Sequence, residues 1–259
     1  MTTLAVVAQK GGVAKTTTVA NLAAAYGVFG RRVLAVDLDP QFDLTRAFGR
    51  APSEAPATVL DVLMGEIGVG EAAIEVAPGV DLIASHRDLK RLELTLVSEV
   101  QRERFLDRAL SKASSAYDIV LIDCPPNLGL LTVNALFAAP EILVPVSMRD
   151  SAALQSAGEV RATVATLAER GVDVRIRALL RTMVDRRRLA CRAIEETLAQ
   201  LGVPVAGAEI PMAAAFDNSV VLGQPLVISD PGSEGASAYR QLALELLQPA
   251  AKLRLEAVS

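Results

Sequence analysis

The chain has 259 residues, 51% hydrophobic and 22% charged, with 3% aromatics and a formal net charge of −4, enough apolar material for one large core of Ala, Leu and Val. No uninterrupted apolar run reaches the roughly 18 residues of a membrane span, and no basic-then-apolar export segment opens the chain. The acidic balance excludes a globally basic nucleic-acid-binding domain, and two cysteines, Cys124 and Cys191, exclude a disulfide framework and lack metal-site spacing, so a cytoplasmic protein is expected. Apolar runs predict strands over residues 4–8, 32–38, 81–84, 119–123, 142–145, 177–181 and 205–210. Helical patterns fall between them, over 16–29, 58–64, 90–113, 128–137, 154–169, 189–201 and 235–255. This alternation predicts an α/β fold, a mostly parallel twisted sheet with helices on both faces, in one domain spanning 1–259. Pro52 and Pro56 mark 51–57 as a surface loop within it. The single histidine, His86, sits beside Arg87 and Asp88 with no ligand constellation and reads as a solvated turn.

Chemistry concentrates at three strand ends. The first strand runs into Gln9-Lys10-Gly11-Gly12-Val13-Ala14-Lys15-Thr16-Thr17 and then into a helix, the context of a phosphate-binding loop. Gly11 and Gly12 permit a tight turn, and the helix N-terminus offers N–H groups to an anion. Lys15 reaches terminal phosphates, and the Thr16 hydroxyl suits magnesium. The stretch fails the strict Gly-x4-Gly-Lys-Ser/Thr pattern, because Gln9 and Ala14 stand where that pattern has glycine. If the loop needs positive φ at Ala14, the methyl group costs about 1 kcal/mol there. The second strand ends in Asp37-Leu38-Asp39-Pro40, which puts two carboxylates on one face. Either can hold a metal-bound water or orient a water attacking a phosphate. The third, Ile119-Val120-Leu121-Ile122-Asp123, is a Walker B pattern, whose buried carboxylate would be costly without a nearby cation.

The Lys10 loop, the Val36-Asp37-Leu38-Asp39-Pro40-Gln41 run and the Asp123-Cys124-Pro125-Pro126 run resemble, in this order, the ParA/MinD family of deviant Walker A ATPases, closest to small ParA partition ATPases. Leu180 to Asp185, Ile210-Pro211, Gly223-Gln224-Pro225 and the helix start at Gly235 continue the resemblance over nearly the whole chain. The phosphate loop differs from the family's Lys-Gly-Gly-x-Gly-Lys-Thr-Thr only at Ala14. The resemblance implies ATP and Mg2+ as cofactors, with nucleotide held by residues 10–17, Pro211 and Met212. It implies metal contacts from Thr16, Asp37 and Asp123. It makes Lys15 the phosphate lysine of its own subunit and Asp39 the residue that positions or activates the attacking water. Lys10 would reach the partner's phosphates across an ATP-bound homodimer, much as an arginine finger does.

The family organises cell space: ATP dimers hold DNA without sequence preference, and a ParB-like or cargo-adaptor protein stimulates slow hydrolysis. Nucleoid association would follow. A local basic patch is then required, and Arg175, Arg177, Arg181, Arg186, Arg187, Arg188 and Arg192 place seven arginines in 18 residues. Of these, Arg181, Arg186, Arg187, Arg188 and Arg192 are the candidate DNA contacts. The arginines that relatives carry soon after Ile-Pro are replaced by Met212-Ala213-Ala214-Ala215-Phe216-Asp217. The chain begins at its first strand, so no operator-binding domain is expected. Alternatives are a MinD-like membrane-associated regulator, positioning of a cargo other than DNA, and a metabolic or metal-cluster relative. Against membrane targeting, 248–259 has only a thin apolar face and no aromatic residue. Against cluster chemistry, no Cys-x-x-Cys pair occurs.

Overall fold

Residues 1–95, 99–113, 115–149 and 151–249 are described by the computed structural model. Among them, eight strands form one sheet: β1 (Thr2–Val6), β2 (Val33–Asp37), β3 (Ile74–Ala77), β4 (Val80–Ile83), β5 (Ile119–Asp123), β6 (Glu141–Ser147), β7 (Arg175–Val184) and β8 (Val205–Pro211). Their spatial order is β3-β4-β2-β5-β1-β6-β7-β8, and every pair is parallel except β3 with β4. The helices are α1 (Lys15–Val28), α2 (Asp43–Ala47), α3 (Val59–Met64), α4 (Val69–Ala72), α5 (Leu89–Thr95), α6 (Phe105–Ser111), α7 (Leu130–Ala138), α8 (Ala152–Glu169), α9 (Leu189–Gln200), α10 (Ala215–Leu222), α11 (Leu226–Ser229) and α12 (Glu234–Leu246).

The central strands are apolar throughout because both sheet faces are covered. In β2, Leu34 and Val36 pack on the side of Val59, Leu106, Leu131 and Val160, from α3, α6, α7 and α8. Val33 and Ala35 pack on the opposite side with Leu22, Val227 and Leu242, from α1, α11 and α12. No helix among the described residues is long and apolar enough to cross a membrane.

Three expectations change. β3 is an edge strand that returns antiparallel to β4 through Pro78 and Gly79, and its half-exposed Ile-Glu-Val-Ala carries no continuous apolar run. The helix expected over 90–113 is interrupted: Gln101 takes a left-handed φ of 56°, and a 3-10 turn at Arg102–Arg104 precedes α6. The last helix ends at Leu246 rather than 255, and 250–259 lie outside the described residues. Helices α2, α4, α10 and α11 are too short to carry a periodic signal.

The end of α2 meets the end of α10 backbone to backbone. Gly49 and Gly223 have φ of 68° and 60°, and a Cβ on Gly223 would lie 2.6 Å from the Gly49 Cα. Gly223→Ala should therefore destabilise the fold by about 2 kcal/mol, a fall in Tm of about 4–8 °C in a chain of this size. Thermal denaturation of the variant checks this, and an unchanged Tm would mean that the two turns are not in contact.

Candidate active site

The chain leaves β1 between its neighbours β5 and β6, at the centre of the sheet, and enters α1 through Val7 to Ala14. Both flanks pin this loop. The Gln9 N–H donates to Ser156 Oγ at 2.9 Å, and Thr182 Oγ1 donates to the Val13 carbonyl at 3.1 Å. Gly12 has a φ of 72°, and a Cβ built on Gly11 or Gly12 would meet nothing within 4 Å, so the glycines border open space. Ala14 adopts the left-handed region, φ 69° and ψ 31°, with no side-chain cap on α1. The first-turn N–H groups of α1 are thus left for an anion. Lys15 is 7% exposed, and its ammonium donates to the Lys10 carbonyl at 3.4 Å across the turn.

Asp123 ends β5 directly beside Asp37 at the end of β2, in register. Thr16 Oγ1 donates to Asp123 Oδ2 at 2.7 Å, while Asp123 Oδ1 is buried with no hydrogen-bond partner among the described residues. Burial pushes the Asp123 carboxyl up to about 7, against the opposing pull of the Thr16 hydroxyl and Lys15. Such an orphaned oxygen fits a hard cation. Among the described residues no group of three or more His, Cys, Asp or Glu side chains could hold a metal. A cation held by Thr16 and Asp123 would therefore take its remaining ligands from water and phosphate, the habit of Mg2+.

Asp37, expected near the metal, lies beside Asp123 and has local partners on both oxygens. Its Oδ2 accepts from the Thr45 N–H at 2.8 Å and the Thr45 hydroxyl at 2.7 Å, and its Oδ1 accepts from the Asp39 N–H at 3.2 Å. Three local donors engage both oxygens, so Asp37 anchors the turn from β2 to α2. Burial, then the neighbouring Asp123 charge, raises its carboxyl well above the usual range. Asp39 lies at the active-site end of that turn. Its Oδ1 accepts from the Gln41 N–H at 2.9 Å, and its carbonyl accepts from the Ser85 hydroxyl at 2.6 Å. Burial raises the Asp39 carboxyl, opposed by the Gln41 N–H and Lys15. Thr45 and Ser85 were missed by motif reading, since they serve the site only through Asp37 and the Asp39 backbone.

A cavity of about 400 Å³ opens beside the loop, lined by Ala14, Thr17, Met183, Pro211, Met212 and Phe216 among others. It joins the phosphate loop to Pro211 and Met212, which the resemblance implies as nucleotide contacts. The Met212 N–H donates to the Val184 carbonyl at 3.1 Å, which ties the ends of β8 and β7 together. Met183 is no plain core residue: its φ of 55° places it in a sparsely populated region at the cavity wall.

The seven arginines divide. Arg177 is buried and donates to the Leu246 and Gln248 carbonyls. Arg181 is a correction as a DNA contact: its side chain is 12% exposed and lies 2.7 Å from Glu209 and 3.5 Å from Glu195. Strand β7 points it at carboxylates on β8 and α9. Arg186 pairs with Glu209 at 2.6 Å and Arg187 with Asp185 at 3.0 Å, both with exposed side chains. Arg188 is the N-cap residue of α9, and Arg192 is exposed on its first turn.

Residues 1–177 match the family model described as AAA domain. The sporulation initiation inhibitor protein Soj of Bacillus subtilis is 35% identical over 94% of this chain and 97% of its own length. The chromosome partitioning protein ParA of Caulobacter vibrioides is 36% identical over 94% and 93%. Among solved structures, cobyrinic acid a,c-diamide synthase from Mycobacterium smegmatis with bound ADP and magnesium is 37% identical, with a TM-score of 0.83 over 95% of this chain and 94% of that one. The cell division ATPase MinD of Pyrococcus furiosus is 28% identical, with a TM-score of 0.78 over 95% and 98%.

Ala14→Gly should stabilise the protein by about 0.5–1 kcal/mol, because glycine relieves the left-handed strain while adding unfolded-state entropy. Equilibrium urea unfolding measures it, and a loss of stability would show that the methyl group makes a compensating contact. For Asp123, the folded chain keeps a proton up to about pH 7, whereas the unfolded carboxyl releases it near about 3.9. Stability of the nucleotide-free protein should therefore fall as pH rises from about 4 to about 7, and Asp123→Asn should flatten that fall and raise Tm at pH 8. A variant whose Tm falls as steeply as the parent's would place the proton elsewhere.

Proposed function

The chain belongs to the ParA/MinD family of ATPases, and from that premise we propose that it is a magnesium-dependent ATPase that dimerises around two ATP molecules, holds DNA without sequence preference in that state, and positions an intracellular cargo when a partner protein triggers hydrolysis. The ATPase activity and the positioning role are those of ParA-like partition proteins. The observation that carries the reading is the orphaned Asp123 Oδ1 beside the Thr16 hydroxyl, under a glycine-bordered helix N-terminus.

Each residue has a physical task in this reading. Helix α1 and Lys15 bind the phosphates, the ammonium shifting from the Lys10 carbonyl to phosphate oxygens. Thr16 and Asp123 would hold Mg2+, which would supply charge neutralisation for the phosphates. Asp39 holds the attacking water, and burial makes its carboxylate a stronger proton acceptor than one in solvent. Lys10 completes the charge set only from a partner subunit, so an isolated monomer hydrolyses slowly. Pro211 and Met212 border the base cavity.

DNA attraction rests on a local surface, since the net charge is −4. Arg186, Arg187 and Arg192 are exposed members of it, and a dimer doubles the set. In place of the arginines usual after Ile-Pro, this chain starts α10 at Ala215. A ParB-like or cargo-adaptor protein would act where the turns after Asp39 and Asp123 meet the nucleotide. The 37% identity to cobyrinic acid a,c-diamide synthase keeps synthase chemistry as the competing use of the same ATP site.

Asp39→Ala should retain ATP, accumulate as a dimer on gel filtration, and bind a random-sequence duplex in the ATP state but not with ADP. Adding Arg187→Ala and Arg192→Ala should weaken that binding and flatten its salt dependence without affecting the dimer. ATP dimers that ignore duplex DNA at every salt concentration would remove DNA as the matrix. A protein that stays monomeric with ATP would overturn the sandwich-dimer mechanism.

A further inference from the structure

Arg149 and Arg188 are far apart in sequence and come from opposite ends of adjacent elements. Arg149 lies two residues beyond the end of β6, and Arg188 caps the start of α9. Both line one cavity of about 330 Å³ whose other wall is Lys10, Gly11, Gly12 and Val13. The end of β7 brings them there. Its pairing with β8 shifts register between Arg181 and Val184, and Met183 takes a left-handed φ of 55° within the shift, which re-aims the chain. On the other side, the Met148 N–H donates to the Thr182 carbonyl at 2.9 Å and the Arg149 N–H to Ser147 Oγ at 3.3 Å, so the backbone under Arg149 is held.

Two exposed guanidinium groups, those of Arg149 and Arg188, border this cavity. Arg186 and Arg187 each have a carboxylate partner, but among the described residues none pairs with Arg149 or Arg188, and none lines the cavity. Basic side chains gathered around one space repel one another until an anion enters it. Glycines on the facing wall leave room for that anion against the backbone. Arg149 also borders the 400 Å³ cavity that holds Thr17 and Met212, so one guanidinium spans both spaces. A base-bearing polyphosphate fits this continuity; a lone phosphate would use only half of it.

We infer that Arg149 and Arg188 bind the polyphosphate of the nucleotide, closing the cradle opposite Lys15, and that Arg188 serves the nucleotide rather than DNA. This rests on the ATP-binding reading above.

Calorimetric titration of the full chain with Mg2+ and ATP, ADP or AMP tests the assignment. Arg188→Ala and Arg149→Ala should each weaken ATP about tenfold, as expected for loss of one charge-assisted contact. The loss should be smaller for ADP and absent for AMP, Arg188→Lys should recover part of it, and Tm should be unchanged. At saturating ATP, Arg188→Ala should bind duplex DNA as the parent does. Unchanged ATP affinity in both variants, with the parent binding normally, would overturn the inference alone. Unchanged ATP affinity with weakened DNA binding would return Arg188 to the DNA surface. A parent that bound no nucleotide would overturn the ATPase reading and this inference together.

Discussion

Asp37 and Asp123 end adjacent parallel strands in register, both carboxyl groups out of water, and their proximity sets the requirements for everything around them. Two ionised carboxylates so placed repel strongly, and burial alone disfavours each charge. The structure treats them differently. Asp37 receives three hydrogen bonds from Thr45 and Asp39 and needs nothing further. Asp123 receives one, from Thr16, and keeps an oxygen without a partner. One carboxylate is thus engaged on both oxygens by the fold and the other keeps an open oxygen, where a cation would offset the electrostatic cost. The parallel sheet makes this possible, since it delivers both strand C-termini and the loop after β1 to one edge.

The same principle sorts the arginines. Arg177 and Arg181 sit in β7 with their charges met by backbone carbonyls, Glu195 and Glu209, and removing either would leave buried acceptors or carboxylates unmatched. Arg186 and Arg187 are matched at the surface, where solvent weakens the pairing. A run of seven arginines therefore contains interior struts, surface charge and cavity lining, and only three-dimensional pairing separates them.

Much of this was legible in the residue order. β5 runs over 119–123 as read, because four apolar residues followed by Asp have one comfortable place in a doubly covered sheet. Positive φ at Ala14 was foreseeable from the turn that the loop must make. What escaped the sequence depends on partners distant along the chain. The partners of Asp37 escaped because Thr45 is an ordinary residue of a five-residue helix. Arg181 looked like surface because Glu209 belongs to the next strand. β3 escaped because an edge strand with one wet face need not be apolar, and the break at Gln101 because a left-handed glutamine leaves no composition signal.

The turn after β2 links these parts mechanically. Asp37 clamps Thr45 at α2, Thr45 Oγ1 accepts from the Ser85 N–H at 3.2 Å, and the Ser85 hydroxyl donates to the Asp39 carbonyl. Asp39 therefore cannot shift toward a phosphate-bound water without straining α2. Helix α2 ends at the Gly49–Gly223 contact, and Gly223 ends α10, whose Phe216 and Val220 line the 400 Å³ cavity. Backbone packs on backbone there, so no side chain stands between the ends of α2 and α10. Asp39 and the cavity-lining helix α10 are thus joined through α2 and the Gly49–Gly223 contact.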